Sequence, residues 1–288
     1  MEPPSSWCST WRKGGKLSSP ISTARLLYHS YVHERAPRPV KENLSVWLRD
    51  SIRGRGAFGT LRFYAAGLLE LLRDLTPERR RSRYGDIDFD FEHGVDTTWA
   101  TVSLRTRVRE WLRGVQYQAS EPQLFREILE SVPADLSGLT FIDLGCGKGR
   151  TLLMASEYPF RRVIGVEFLP ELNDVALRNI ERYESARQKC FAIESHAGDA
   201  RRFEFPVEPI VLYLFNPFPE HVLREVLNNL ERSLRATPRP AFLIYHNLVH
   251  EAVFDEQRWL RRVHRTHQFA IYAAEFSGSG TATNKKVD

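Results

Sequence analysis

From residue 140 onward, short apolar runs alternate with stretches in which apolar residues recur every three or four positions. Five runs, at 140–144, 162–168, 190–194, 210–215 and 241–247, lack the in-and-out alternation of a sheet with one wet face. They therefore predict strands buried on both sides. Between them, Glu171–Ser185 places Leu172, Val175, Ala176, Asn179, Ile180 and Tyr183 on one helical face, behind Pro170 at the favoured first position of a helix. Glu220–Ala236 predicts a second long helix, His250–Trp259 a third, and 262–267 with 268–276 a closing antiparallel hairpin. Strands that alternate with helices demand a mostly parallel sheet covered by helices on both faces, so the fold class is α/β with seven strands.

The pattern ahead of residue 116 is weaker. Residues 1–40 mix prolines, serines and glycines and predict a poorly ordered tail; residues 41–115 form an accessory segment, 116–276 the main domain, and 277–288 a frayed end. Phe58–Leu75 has helical spacing that Pro77 stops. Asp86–Glu92 alternates acid with apolar residue and predicts an extended segment whose Ile87, Phe89 and Phe91 face the domain. A calcium loop is rejected there because its sixth position must be glycine and is Phe91. Pro122–Ser131 predicts a helix, and the preceding Tyr117, Gln118 and Glu121 are placed to cover a ligand on the first strand, with an ordinary capping role open to Ser120 and Glu121.

Composition narrows the chemistry without naming it. The chain has 288 residues and a formal charge of +5, with basic residues spread along helices. Runs such as Arg79–Arg81 and Arg261–Arg262 suit a solvated face better than a phosphate-binding patch, so nucleic acid is the less favoured partner. No apolar stretch reaches membrane-spanning length, and the first residues lack the order of a secretory signal, which points to the cytoplasm. Three scattered cysteines build neither a disulfide framework nor a metal site; Cys146, between two glycines, reads as a small residue tolerated by a loop.

The chemistry concentrates at Thr140-Phe-Ile-Asp-Leu-Gly-Cys-Gly-Lys-Gly-Arg150, a buried strand that breaks at Gly145, Gly147 and Gly149 before a helix. Such a break offers backbone N–H groups and the positive end of a helix to a ligand, with no Cβ to keep it away. The dinucleotide fingerprint G-x-G-x-x-G places its third glycine one residue later, which speaks against a nicotinamide-dependent oxidoreductase. Asp143, Glu167 and Asp199 lie at or just beyond the ends of the first three strands, where a ligand of an open parallel sheet binds.

The motif Asp143-x-Gly145-x-Gly147-x-Gly149 with these downstream acids resembles motif I of the class I S-adenosylmethionine (SAM) methyltransferases, over about residues 115–276, with further likeness to uncharacterised bacterial members from Arg83-Tyr-Gly-Asp to Phe215-Asn-Pro-Phe. The resemblance implies a Rossmann-like sheet and SAM as cofactor. It implies that the loop Asp143, Gly145, Cys146, Gly147 and Gly149 holds the methionine end, that Glu167 holds the ribose, that Asp199 and the Ala200 backbone meet the adenine, and that Tyr117 and Gln118 cover the pocket. Asn216-Pro217-Phe218 stands where amino-group methyltransferases carry Asn or Asp, two prolines and an aromatic, here without the second proline. There the Asn216 amide oxygen and the Pro217 carbonyl accept N–H bonds from an attacking nitrogen, and the ring steadies the charge that develops. His246, ending the fifth strand, is a candidate base, with Tyr213, Tyr245, His196 and Asn247 on the same rim. The expected activity is methyl transfer to nitrogen of a protein side chain or small molecule. Transfer to oxygen with His246 as base, or a SAM- or nucleic-acid-binding module without turnover, are the alternatives.

Overall fold

The computed structural model describes residues 52–53, 56–62, 65, 87–98 and 119–276. Seven strands form one sheet: β1 (Thr140–Leu144), β2 (Arg162–Glu167), β3 (Ile193–Ala197), β4 (Ile210–Phe215), β5 (Ala241–His246), β6 (Leu260–Arg265) and β7 (Phe269–Ala274). Their order is β3-β2-β1-β4-β5-β7-β6. The β1–β2, β2–β3, β1–β4 and β4–β5 pairs are parallel, and β7 runs antiparallel to both β5 and β6. Residues 52–53, 56–62 and 65 are helical, and these helices have both ends described: α1 (Ile87–His93), α2 (Pro122–Glu130), α3 (Arg150–Ala155), α4 (Pro170–Arg182), α5 (Glu220–Ala236) and α6 (Glu251–Asp255).

The central strands β1, β2, β4 and β5 are largely apolar because successive side chains enter two different cores. Ile142, Leu144, Ile164, Val166, Leu212 and Leu214 pack on one face against Leu223, Val226, Leu227 and Leu230 of α5 and Val253 and Phe254 of α6. Phe141, Val163, Val211, Tyr213 and Ile244 pack on the other against Leu124, Phe125, Ile128 and Leu129 of α2 and Leu152 and Met154 of α3. Burying one such leucine or phenylalanine is worth about 1.5–3 kcal/mol, so both faces hold the sheet in register. Pro170 and Pro122 open α4 and α2 as first helical residues.

Three expectations are corrected. The third strand runs over Ile193–Ala197, not 190–194, because its register is fixed by pairing Val163 to Ile193 and Glu167 to Ala197. Its polar Glu194, Ser195 and His196 hide the strand from an apolar pattern. The helix expected at 250–259 is only Glu251–Asp255, since Trp259 already leads into the hairpin. Ile87–His93 is a helix and not an extended segment, and Phe91 is 89% exposed instead of facing the domain. Its acid alternation serves a tertiary purpose described below. The expected tails at 1–40 and 277–288, Arg79–Arg81, and the covering residues Tyr117 and Gln118 lie outside the described residues.

Candidate active site

The chain leaves β1 at Gly145, and three residues of the following turn, Gly145, Gly147 and Gly149, have φ of 95°, 55° and 83°. A side chain at such angles is strained. At Gly145 a Cβ would also lie 2.6 Å from Cβ of Pro217. The side-chain-free position therefore lets the turn after β4 pack directly on the turn after β1.

The loop's N–H groups do not wait for a ligand. Gly145 and Cys146 donate to the Val166 carbonyl at 2.7 and 3.2 Å, Gly149 donates to the Cys146 carbonyl at 2.8 Å, and Gly147 donates to Oε2 of Glu167 at 2.9 Å. The expectation of a donor-rich anion cradle is thus corrected at these four positions, and α3 spans only six residues. The Cys146 side chain is buried with Sγ 3.5 Å from Oγ of Ser195, and burial next to Asp143 and Glu167 pushes its thiol well up, so it remains protonated and inert.

What the site presents instead is acceptors. Glu167, the last residue of β2, takes the Gly147 N–H on one carboxylate oxygen and the Leu169 N–H at 2.8 Å on the other. Asp143 is 3% exposed and accepts from the Thr151 hydroxyl; burial, with Glu167 nearby, pushes its carboxyl up to about 7. Asp199, after β3, accepts from Arg201 through its backbone N–H at 3.0 Å, Nε at 3.0 Å to each oxygen, and a terminal nitrogen at 2.7 Å. Burial works against its charge, but these Arg201 bonds hold the Asp199 carboxyl below its ordinary value. Another terminal nitrogen of Arg201 lies 3.7 Å from Glu225, and Ala200 is buried beside the acid.

The outer side of the glycine loop is bolted to residues 90–98. Lys148, 1% exposed, donates to Asp96 and to the Thr98 carbonyl at 2.8 Å each. Arg150, 2% exposed, donates from Nε to the Thr97 hydroxyl at 2.6 Å and reaches Asp90 at 3.2 Å, with its guanidinium 4.9 Å from the Phe89 ring centre. Asp90 also accepts from the Thr97 and Thr98 N–H groups at 2.7 and 2.9 Å and from the Thr97 hydroxyl. Asn179 of α4 completes the knot, donating to the Asp96 and Lys148 carbonyls and accepting the Asp96 N–H. None of Asp90, Asp96, Thr97, Lys148 or Arg150 was singled out by sequence; the available signal was Lys and Arg beside the glycines and an acid- and threonine-rich turn upstream.

On the opposite side lies the rim formed by the ends of β4 and β5. Asn216 and Asn247 are the non-glycine residues with positive φ among those described, at 40° and 62°. Asn216, Pro217 and Phe218 are half-buried. Oδ1 of Asn216 accepts from the Tyr245 hydroxyl at 2.9 Å. His246 stacks on Phe215 with ring centres 3.9 Å apart and planes 9° apart, and its Nδ1 lies 2.8 Å from the Tyr213 hydroxyl, itself 3.1 Å from that of Ser120. Burial lowers His246 to about 4 and pushes the Tyr213 phenol up. Ser120 thus serves this chain of hydroxyls and not a helix cap, and Glu121 at the start of α2 makes no side-chain cap. His196, half-buried, bonds Glu194 at 3.2 Å.

Residues 141–237 match a family model described as "Methyltransferase domain". Among solved structures, the chain is similar to an RNA methyltransferase from Salinibacter ruber in complex with S-adenosyl-L-homocysteine, at 19% identity, covering 59% of this chain and 100% of that one with a TM-score of 0.39. It is similar to a precorrin-6y C5,15-methyltransferase from Geobacter metallireducens at 12% identity, covering 56% and 93% with a TM-score of 0.42. It is also similar to a dimethyladenosine transferase from Plasmodium falciparum at 14% identity, covering 55% and 63% with a TM-score of 0.41. No curated protein matches the sequence. Among the described residues no helix is long and apolar enough to cross a membrane, and no cluster of three metal-ligating side chains occurs.

Proposed function

We propose that this protein, whose residues 141–237 match a methyltransferase domain, is a class I methyltransferase that moves the methyl group of SAM to a nitrogen of a protein side chain or small molecule. One observation carries the cofactor reading. The N–H groups of residues 145, 146, 147 and 149 are spent on the protein, whereas Asp143, Glu167 and Asp199 bring three carboxylates to the ends of β1, β2 and β3. Such a pocket suits a ligand that brings hydroxyl and amino donors and positive charge, and opposes a pyrophosphate, which needs the donors the loop no longer has.

The residues would share the work of holding SAM. Glu167 would accept the two ribose hydroxyls. Asp143, Gly145, Cys146, Gly147 and Gly149 would form the floor under the methionine end, Cys146 through its backbone alone. Asp199 and Ala200 would meet the adenine edge, with Arg201 moving toward Glu225 to free the carboxylate. SAM supplies a methyl group already activated on a sulfonium, so the protein's share is alignment and exclusion of water.

The rim supports nitrogen as the target atom. Asn216 Oδ1 and the Pro217 carbonyl would accept the N–H bonds of the attacking nitrogen and aim its lone pair, with Phe218 beside the developing charge. A histidine lowered to about 4 is neutral at working pH but a feeble base for a hydroxyl, which favours nitrogen over oxygen. His246 then acts as a neutral hydrogen-bonding wall.

Radiolabelled SAM incubated with a host lysate tests the reading. Label is expected to enter protein or small molecules. Glu167→Ala is expected to weaken SAM binding about 10- to 100-fold in calorimetry, the loss of charge-assisted bonds, with the fold kept. Asn216→Ala is expected to lose transfer while SAM affinity stays. Binding of NAD in place of SAM, or SAM bound with no label transferred anywhere, would overturn it.

A further inference from the structure

The Asn216 side chain does not stand alone. The His250 N–H donates to the Tyr245 hydroxyl oxygen at 3.0 Å, and that hydroxyl lies 2.9 Å from Oδ1 of Asn216. Since the hydroxyl already accepts a backbone N–H, its own proton needs an acceptor, and the amide oxygen is the acceptor within reach. This settles which way the Asn216 amide faces, a choice an isolated amide leaves open. The hydroxyl is itself held still: the Tyr245 ring stacks on Phe254 with centres 4.5 Å apart, and Phe254 stacks on Tyr272 at 5.0 Å. The stack roots in the core between β5, α6 and β7. Asn216 meanwhile sits at φ 40°, on a turn packed against Gly145 through Pro217. Its backbone is fixed by the glycine loop and its side chain by Tyr245.

We infer that Tyr245 is a positioning residue for methyl transfer, which orients the Asn216 amide through the chain His250 N–H, Tyr245 hydroxyl, Asn216 Oδ1, so that one face of Oδ1 is left for an N–H of the acceptor. This rests on the reading that Asn216 receives the acceptor. Burial pushes the Tyr245 phenol up to about 12, so its proton stays in place over the working pH range. A phenylalanine at this position keeps the ring stack and removes only the donor, which frees the amide to turn.

A double-mutant cycle with Tyr245→Phe, Asn216→Ala and the pair tests it, reading label transfer from radiolabelled SAM into a host lysate, SAM affinity by calorimetry, and the side-chain amide signals by 1H–15N NMR. Tyr245→Phe is expected to reduce transfer about tenfold, the loss of one aligned hydrogen bond, with SAM affinity unchanged. The pair is expected to be no worse than Asn216→Ala alone, and the amide signal absent from Asn216→Ala is expected to shift in Tyr245→Phe. Full transfer in Tyr245→Phe, or losses that simply multiply in the pair, would overturn the inference. If Asn216→Ala keeps full transfer while the amide signal still shifts in Tyr245→Phe, the hydrogen bond stands but the acceptor-binding reading fails, and the inference falls with it.

Discussion

The two sides of the β1 carboxyl end are built on opposite plans. Toward β2 and α4, the glycine loop is knotted to residues 90–98 by two buried cations, and its N–H groups at 145, 146, 147 and 149 are bonded within the protein. Toward β4 and β5, the half-buried Asn216 lies in front of the buried Tyr213, Tyr245 and His246, in a turn whose backbone enters the left-handed region without glycine. The first side is preorganised and self-satisfied, as a surface that receives one invariable cofactor can be. The second leaves the Asn216 amide half-buried at its edge, with Tyr245 and His246 buried behind it; under the proposed function that edge admits the acceptor. At the second side asparagines carry the positive φ, and Asn216 there accepts the Tyr245 hydroxyl.

The sharpest way to break this contrast is Asp90→Ala. Removing a carboxylate that pairs with buried Arg150 and gathers Thr97 and Thr98 takes a counter-charge from a buried cation and the acceptor from two buried N–H groups, and a loss of about 3–5 kcal/mol is expected in urea unfolding. A loss under about 1 kcal/mol would mean that the strap rests on the loop without supporting it. Gly145→Ala comes next, with a cost of about 2–3 kcal/mol from positive φ and the Pro217 contact. Weaker label transfer should accompany it, because the displaced turn carries Asn216. Intact stability in that variant would show that the two turns are independent.

The smallest effect is a difference of sign with pH. The Asp143 carboxyl, ordinary in the unfolded chain and about 7 when folded, binds a proton in the folded state that the unfolded state has released. Its contribution to stability is therefore full below about pH 4 and fades as pH rises through 7. His246, lowered to about 4, does the reverse: its contribution is full above its ordinary value of 6.5 and fades as pH falls toward 4. Unfolding curves of Asp143→Asn and His246→Gln, subtracted from those of the unaltered protein between pH 4 and 8, should slope in opposite directions, each by on the order of 2 kcal/mol. Two slopes of the same sign would mean that one of these groups is solvated.

Much of the fold was legible because a strand buried on both faces must be apolar along its whole length. β1, β2, β4 and β5 satisfy that rule, and Pro170 marks the start of α4. The strand at Ile193–Ala197 escaped because three of its five residues are polar. Helix α1 escaped because Asp86, Asp88 and Asp90, alternating with Ile87, Phe89 and Phe91, imitate the two-residue period of a strand, and the use of Asp90 depends on Thr97, seven residues on, and Arg150, sixty residues on.

By itself the sequence determined the alternating α/β order, the glycine turn after the first strand and the placing of acids at strand ends, since each depends on the local period of side chains or on φ angles open to one residue type. Only the tertiary structure decided how those groups are spent: that the loop gives its N–H groups to Val166 and Glu167, that Lys148 and Arg150 point back into the protein, and that Tyr245 holds Asn216. Hydrogen bonds are made between atoms brought together by packing, and packing joins residues whose separation along the chain carries no local signal.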